Sequence, residues 1–211
     1  MTNIKRIVNG DPADPESTRD LQGISPREMG HLKLCLLGAI KEARAFQQMD
    51  DEQMKLLIEN ANRVNADHGF PTAEGTADDP GQLREYFQER DSNQAGLLEK
   101  LRAVEHDDQM SIQGITPLEF MHLVTSVQAG LREAVIYSTL SQEEIEHGIA
   151  IVNQMFQHWG IGAWDHYDKW NKRWPEFFKG RAEILETILE VINQPYPGCE
   201  YPGLSSQECE G

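Results

Sequence analysis

"LQGISPREMGHL", Leu21 to Leu32, returns later in the chain as "IQGITPLEFMHL", Ile112 to Leu123. Each copy holds a Glu-x-x-His, which in the middle of a helix is half of a di-metal carboxylate site. The neighbouring residues favour a different role. Ser25-Pro26 and Thr116-Pro117 place a capping residue before a proline at the first helical position, where the missing N–H is not needed. Glu28 and Glu119 then fall three residues after the cap, where a carboxylate returns to the cap's own amide. A carboxylate used in that way is not free to ligate, so the stretch reads as a helix start.

Sliding the chain against itself by about 91 residues continues the match without a gap. It pairs His31 with His122, Glu42-Ala43 with Glu133-Ala134, Gly69 with Gly160, Phe87 with Phe178 and Arg90 with Arg181. Within each copy the apolar residues recur at helical spacing, as in Leu32, Leu36, Ala39, Ala43 and Phe46. Asp50 and Ser141 read as caps of second helices. Gly69 and Gly160, each followed by an apolar residue, read as their ends. Asp79-Pro80 starts a third helix in the first copy.

No alternating strand pattern interrupts the series, and the class expected is all-α. The architecture expected is an internally duplicated helical bundle, two three-helix copies related by a pseudo-twofold axis. Residues 1–19 read as a flexible N-terminal segment, 20–110 as the first repeat, 111–193 as the second repeat packed with it as one domain, and 194–211 as a flexible tail.

His31 and His122 are not explained by capping. At 100° per residue Glu42 returns to within about 20° of His31, and Glu133 to His122, but each stands roughly 16 Å along the axis from its histidine. The two groups cannot bond within one helix. If the two first helices pack antiparallel about a pseudo-twofold axis, His31 comes opposite Glu133 and His122 opposite Glu42. The small residues Gly38-Ala39 and Ala129-Gly130 lie beside the proposed crossing and permit close approach. These two pairs are expected to be structural, fixing the register of the copies. The alternative makes His31, His122, Glu42 and Glu133 the ligands of a metal or small-ligand helical-bundle enzyme.

The copies differ most in "WGIGAWDHYDKWNKRWPEFF", which holds all four tryptophans, Trp159, Trp164, Trp170 and Trp174. Trp164, Tyr167, Lys169, Trp170, Arg173 and Trp174 are the candidate partner-binding residues, since Trp, Tyr and Arg dominate interface hot spots. The competing reading is an aromatic stripe of core. Pro175 must kink that helix or start a new one.

Formal net charge is −16, with 39% hydrophobic and 26% charged residues. Such a chain repels phosphates and anionic membranes, so direct nucleic-acid binding is disfavoured. No apolar run reaches the roughly 20 residues a membrane span needs, and the N-terminus lacks the apolar core of a signal peptide. Cys35 lies in a helical pattern, and Cys199 and Cys209 lie in the tail, with no disulfide or zinc spacing. Phosphate-binding loops and nucleophile elbows are absent, and no cofactor is indicated. The expectation is a cytoplasmic, non-enzymatic, acidic interaction protein, an adaptor or inhibitor with a protein partner. It would mask a basic or nucleic-acid-binding site, and homo-oligomerisation stays open.

Overall fold

Both SP/TP stretches start helices by the same local chemistry. Ser25 caps α1 (Pro26–Gln48) and Thr116 caps α4 (Pro117–Ser138), and each closes a capping box with its glutamate. The Ser25 amide donates to Glu28 Oε2 at 2.8 Å, and the Thr116 amide to Glu119 Oε2 at 2.8 Å. Asp50 and Ser141 cap α2 (Asp51–Asp67) and α5 (Gln142–His158) in the same way. These two helices end at Gly69 and Gly160, both at positive φ, with the Phe70 amide donating to Asn65 O and the Ile161 amide to Phe156 O, each at 2.8 Å. The third helices are α3 (Pro80–Ala103) and α6 (Trp174–Ile192). Pro175 sits in the first turn of α6, so it starts a new helix.

This computed structural model describes residues 6–9, 18–70, 80–104, 110–163 and 173–192. Its body is mostly helical. Helix α1 packs on α3, α4 packs on α6, and α1 crosses α4 to join the two pairs. Helices α2 and α5 lie on the flanks and bury only two residues each, Met54 with Ile58 and Ile145 with Phe156.

A small antiparallel sheet corrects the expectation of helices alone. Strands β1 (Arg6–Asn9), β2 (Arg19–Ile24) and β3 (Met110–Ile115) pair in the order β1-β2-β3. The Gln-Gly-Ile that precedes each capped helix is therefore the end of a strand, and residues 6–9, expected in a flexible end, carry β1. Register shifts within the β2–β3 ladder, beside the positive-φ residues Gly23 and Gly114, break the alternation that marks a strand in sequence. Leu21, Ile24, Ile112 and Ile115 bury their side chains in the core.

The core falls into two apolar clusters. One gathers Leu21, Leu32, Leu36, Leu97, Ile112 and Leu185 at the sheet end. The other gathers Phe46, Met54, Phe87, Phe156, Trp174 and Phe178 at the far end. Between them α1 and α4 approach closely, because Gly130 has no side chain. A Cβ there would stand 2.5 Å from Cys35 Sγ and 3.1 Å from Arg181 Nη2. Gly130→Ala would gain about 1 kcal/mol of helix propensity in an exposed helix. Here overpacking of about 1–3 kcal/mol outweighs that gain. Denaturant titration should show Gly130→Ala destabilised by about 1 kcal/mol, with Cys35→Ala restoring much of the loss in the double variant.

Candidate functional site

The four residues singled out as His–Glu pairs sort around two arginines, one from each third helix. Arg181 of α6 reaches between α1 and α4. Its Nη1 lies 3.3 Å from His31 Nδ1, its Nη2 donates to Cys35 Sγ at 3.3 Å, and the same Nη2 stands 3.9 Å from Glu133 Oε2. Arg90 of α3 bonds Glu42 Oε2 at 2.8 Å and acts electrostatically on His122. His31 and Glu133 thus share one guanidinium, and His122 and Glu42 share the other. Arg90 and Arg181 occupy matching positions in the two copies of the sequence, where neither carried an expected role. The available signal was a charge inside an apolar stripe: Phe178, Arg181, Leu185 and Ile188 are all buried on one face of α6.

The two arrangements differ in burial. Arg181 is 1% exposed, whereas Glu42, the partner of Arg90, is open to solvent. An arginine side chain only donates, so the contact from Arg181 Nη1 makes His31 Nδ1 an acceptor and leaves the ring neutral. Burial first, then the charges of Arg181 and Arg27, pull the His31 pKa from its ordinary 6.5 to about 4. Burial and Arg90 lower that of His122 as well, against a smaller opposing pull from Glu89. His122 is buried with neither ring nitrogen hydrogen-bonded among the described residues. Nearby, Gln94 donates to Ser126 Oγ, and Ser126 in turn donates to the His122 carbonyl.

Glu133 is pushed upward by burial and by Glu42, with Arg181 pulling the other way. Burial raises the Cys35 thiol too, so it stays protonated and unreactive. For Glu119, burial is outweighed by bonds from Lys100 and Thr116, which hold its carboxyl below the usual range. Glu119 therefore serves the helix start and the α3 contact.

Glu133, Glu42 and Arg181 also line a cavity of about 220 Å³ between α1, α4, α5 and α6. Gly38, Ala39, Ala129 and Gly130, the small residues expected at the helix crossing, form part of its wall. Phe156, Phe178 and Tyr137 form the aromatic part, with Tyr137 stacked on Phe178 at 4.9 Å.

As metal ligands, His31, His122, Glu42 and Glu133 are poorly served by this geometry. A guanidinium stands against the members of each pair, where it opposes a cation. Among the described residues no group of three or more His, Cys, Asp or Glu side chains could hold a metal ion.

Of the aromatic candidates, Trp174 is buried and packs edge-on to Phe177 at 6.0 Å. Its amide donates to Gln142 Oε1 at 2.9 Å, which ties α6 to α5. Arg173 is exposed just before it. Trp164, Tyr167, Lys169 and Trp170 lie outside the described residues, as do Cys199 and Cys209. The residues leading toward that stretch are tied to α1 by Lys41, whose Nζ donates to Gly162 O at 3.1 Å and Ala163 O at 2.5 Å. Comparison with protein-family models, with curated proteins and with solved structures returns no match to this chain.

The buried histidines make stability depend on pH with a definite sign. Between about 4 and 6.5 the unfolded chain binds a proton that folded His31 does not. Stability is therefore greatest above pH 6.5 on this account and falls as the pH drops toward 4, by up to about 3 kcal/mol for His31. Glu133, with its raised pKa, works in the opposite direction, so a variant gives the cleaner comparison. His31→Gln keeps an acceptor for Arg181 and removes the titration. Thermal melts between pH 7 and pH 4.5 should show a shallower loss in this variant than in the wild type. Parallel curves would remove His31 from the account.

Proposed function

We propose that the chain is a non-enzymatic, acidic helical interaction protein, an adaptor or inhibitor that covers a basic surface on a protein partner. The observation that carries this reading is the exposed face of α5. Ile151 is 46% exposed and Met155, one turn on, is 37% exposed, while Glu143, Glu144 and Glu146 crowd the start of the same helix. Helix α2 repeats the theme with exposed Leu56 and Val64 beyond Asp51 and Glu52. Large apolar groups beside carboxylates suit a partner with apolar anchors set among lysines and arginines. The net charge of −16 favours the same class of partner and disfavours direct nucleic-acid binding.

Trp164, Tyr167, Lys169, Trp170 and Arg173, which follow α5 in the chain, are proposed to take part in the contact, while Trp174 is buried in the core. The same reading takes residues 20–110 and 111–193 as duplicated copies about a pseudo-twofold axis. Matched caps, and matched Arg90–Glu42 and Arg181–Glu133 ion pairs, support it. A cytoplasmic setting accords with this function, and no helix among the described residues is long and apolar enough to cross a membrane.

The test is affinity capture with the full chain from lysate of the source cells, followed by quantitative comparison with Ile151→Glu/Met155→Glu. A basic partner should be recovered at low salt and lost progressively above about 0.1 M, where screening reaches roughly 10 Å. The double variant should recover several-fold less of it. Trp170→Ala should weaken the purified complex by more than about 1 kcal/mol. Equal recovery by wild type and double variant would contradict the reading.

A further inference from the structure

Strands β2 and β3, Arg19–Ile24 and Met110–Ile115, occupy matching places in the two halves of the sequence, and both end in Gln-Gly-Ile. They pair antiparallel, with Leu21 opposite its own counterpart, Ile112. Their outer edges differ. That of β2 carries β1, with Arg6 opposite Gln22, Ile7 opposite Leu21, Val8 opposite Asp20 and Asn9 opposite Arg19. Among the described residues β3 pairs with β2 alone. The stretch that matches β1 in the second half, residues 97–100, lies within α3 and cannot supply a strand.

An edge strand presents a row of backbone N–H and C=O groups, and proteins blunt such edges with charged residues or proline. Strand β3, MSIQGI, has neither. Lys100 and Asp20 bond the carbonyl and amide of Gly114, which lies beyond Met110–Gln113, the span that matches the β1-paired residues of β2. Met110 and Ile112 bury their side chains and Gln113 is exposed, so an added strand would set an apolar residue beside Ile112 and a polar one beside Gln113. On β2 the corresponding places are filled by Ile7 and Arg6. Glu105, Asp107 and Asp108 shortly precede Met110 in the chain, and carboxylates there favour a basic strand.

We propose that the outer edge of β3 is a strand-addition site for an extended segment of the protein partner. The segment pairs antiparallel over Met110–Gln113 as β1 pairs on β2, with an apolar residue opposite Ile112 and a basic one opposite Gln113. The inference rests on the reading of a basic protein partner and adds the form in which that partner binds.

The first strand of the chain supplies the probe, because it already fits the twin of β3. A peptide NIKRIVN, Asn3 to Asn9 with both ends blocked, is titrated into the full chain by calorimetry, with amide hydrogen exchange read by NMR. It should bind saturably and slow exchange within residues 110–113 by about tenfold or more. The same peptide with Ile7→Pro and Val8→Pro, which loses a donor on each side of the strand, should not bind. Lys5→Glu with Arg6→Glu should weaken the peptide by about tenfold or more, and the difference should shrink above about 0.1 M salt. Absence of saturable binding, or equal binding of the proline peptide, overturns the proposal. So does slow exchange at residues 110–113 without peptide in a dimeric chain, which would mark two copies pairing through β3. A response confined to residues 19–22 would mark replacement of β1 and also overturns it. Equal binding of the charge-reversed peptide overturns the basic occupant. The titration needs no partner, so its failure beside a successful affinity capture removes the strand site and leaves the α5 surface standing.

Discussion

A guanidinium sealed inside a helical core has to find acceptors, because an isolated buried charge would cost far more than a fold of this size can spare. Arg181 is that group here, and much of the interior is arranged around it. It stands on α6 between Phe178 and Leu185, which belong to different apolar clusters, and it reaches residues of both α1 and α4. Its acceptors include a neutral imidazole and a thiol, with the carboxylate of Glu133 slightly farther off. Burial first, and then the charge of Arg181, lowers the pKa of His31, while burial keeps the Cys35 thiol protonated against the opposing pull of Arg181.

Close approach of α1 and α4 follows from the same constraint. Only a glycine at position 130 leaves space for both Cys35 Sγ and the arginine head. Glu133 and Glu42 then line the cavity beside the crossing, with Glu42 open to solvent. The corresponding arrangement around Arg90 relaxes toward solvent through exposed Glu42, so burial separates two sets of residues that share the same types and spacing.

The helix starts were legible in the chain because they depend on neighbours. Ser25 with Glu28, Thr116 with Glu119, Asp50 with Gln53 and Ser141 with Glu144 are local arrangements, and all four capping boxes are present. The sheet was not legible, since two six-residue strands with register shifts lack a clean period of two. Small residues at the helix crossing were readable, but the cavity beside them was not, because its volume is set by how α5 and α6 close over α1 and α4. His31 and Glu133 were read as a pair, and the arginine between them went unread because it arrives on a third helix. An arginine within the apolar face of α6 was the clue available.

The most direct test of this account is the protonation state of His31, followed by ring nitrogen NMR across pH 8 to 4. Burial and the Arg181 contact predict a neutral ring with its proton on Nε2, an unprotonated Nδ1, and a midpoint near the value of about 4. A proton on Nδ1 at neutral pH, or a midpoint at the ordinary 6.5, would contradict the donation from Arg181 and with it the arrangement of the core around that charge.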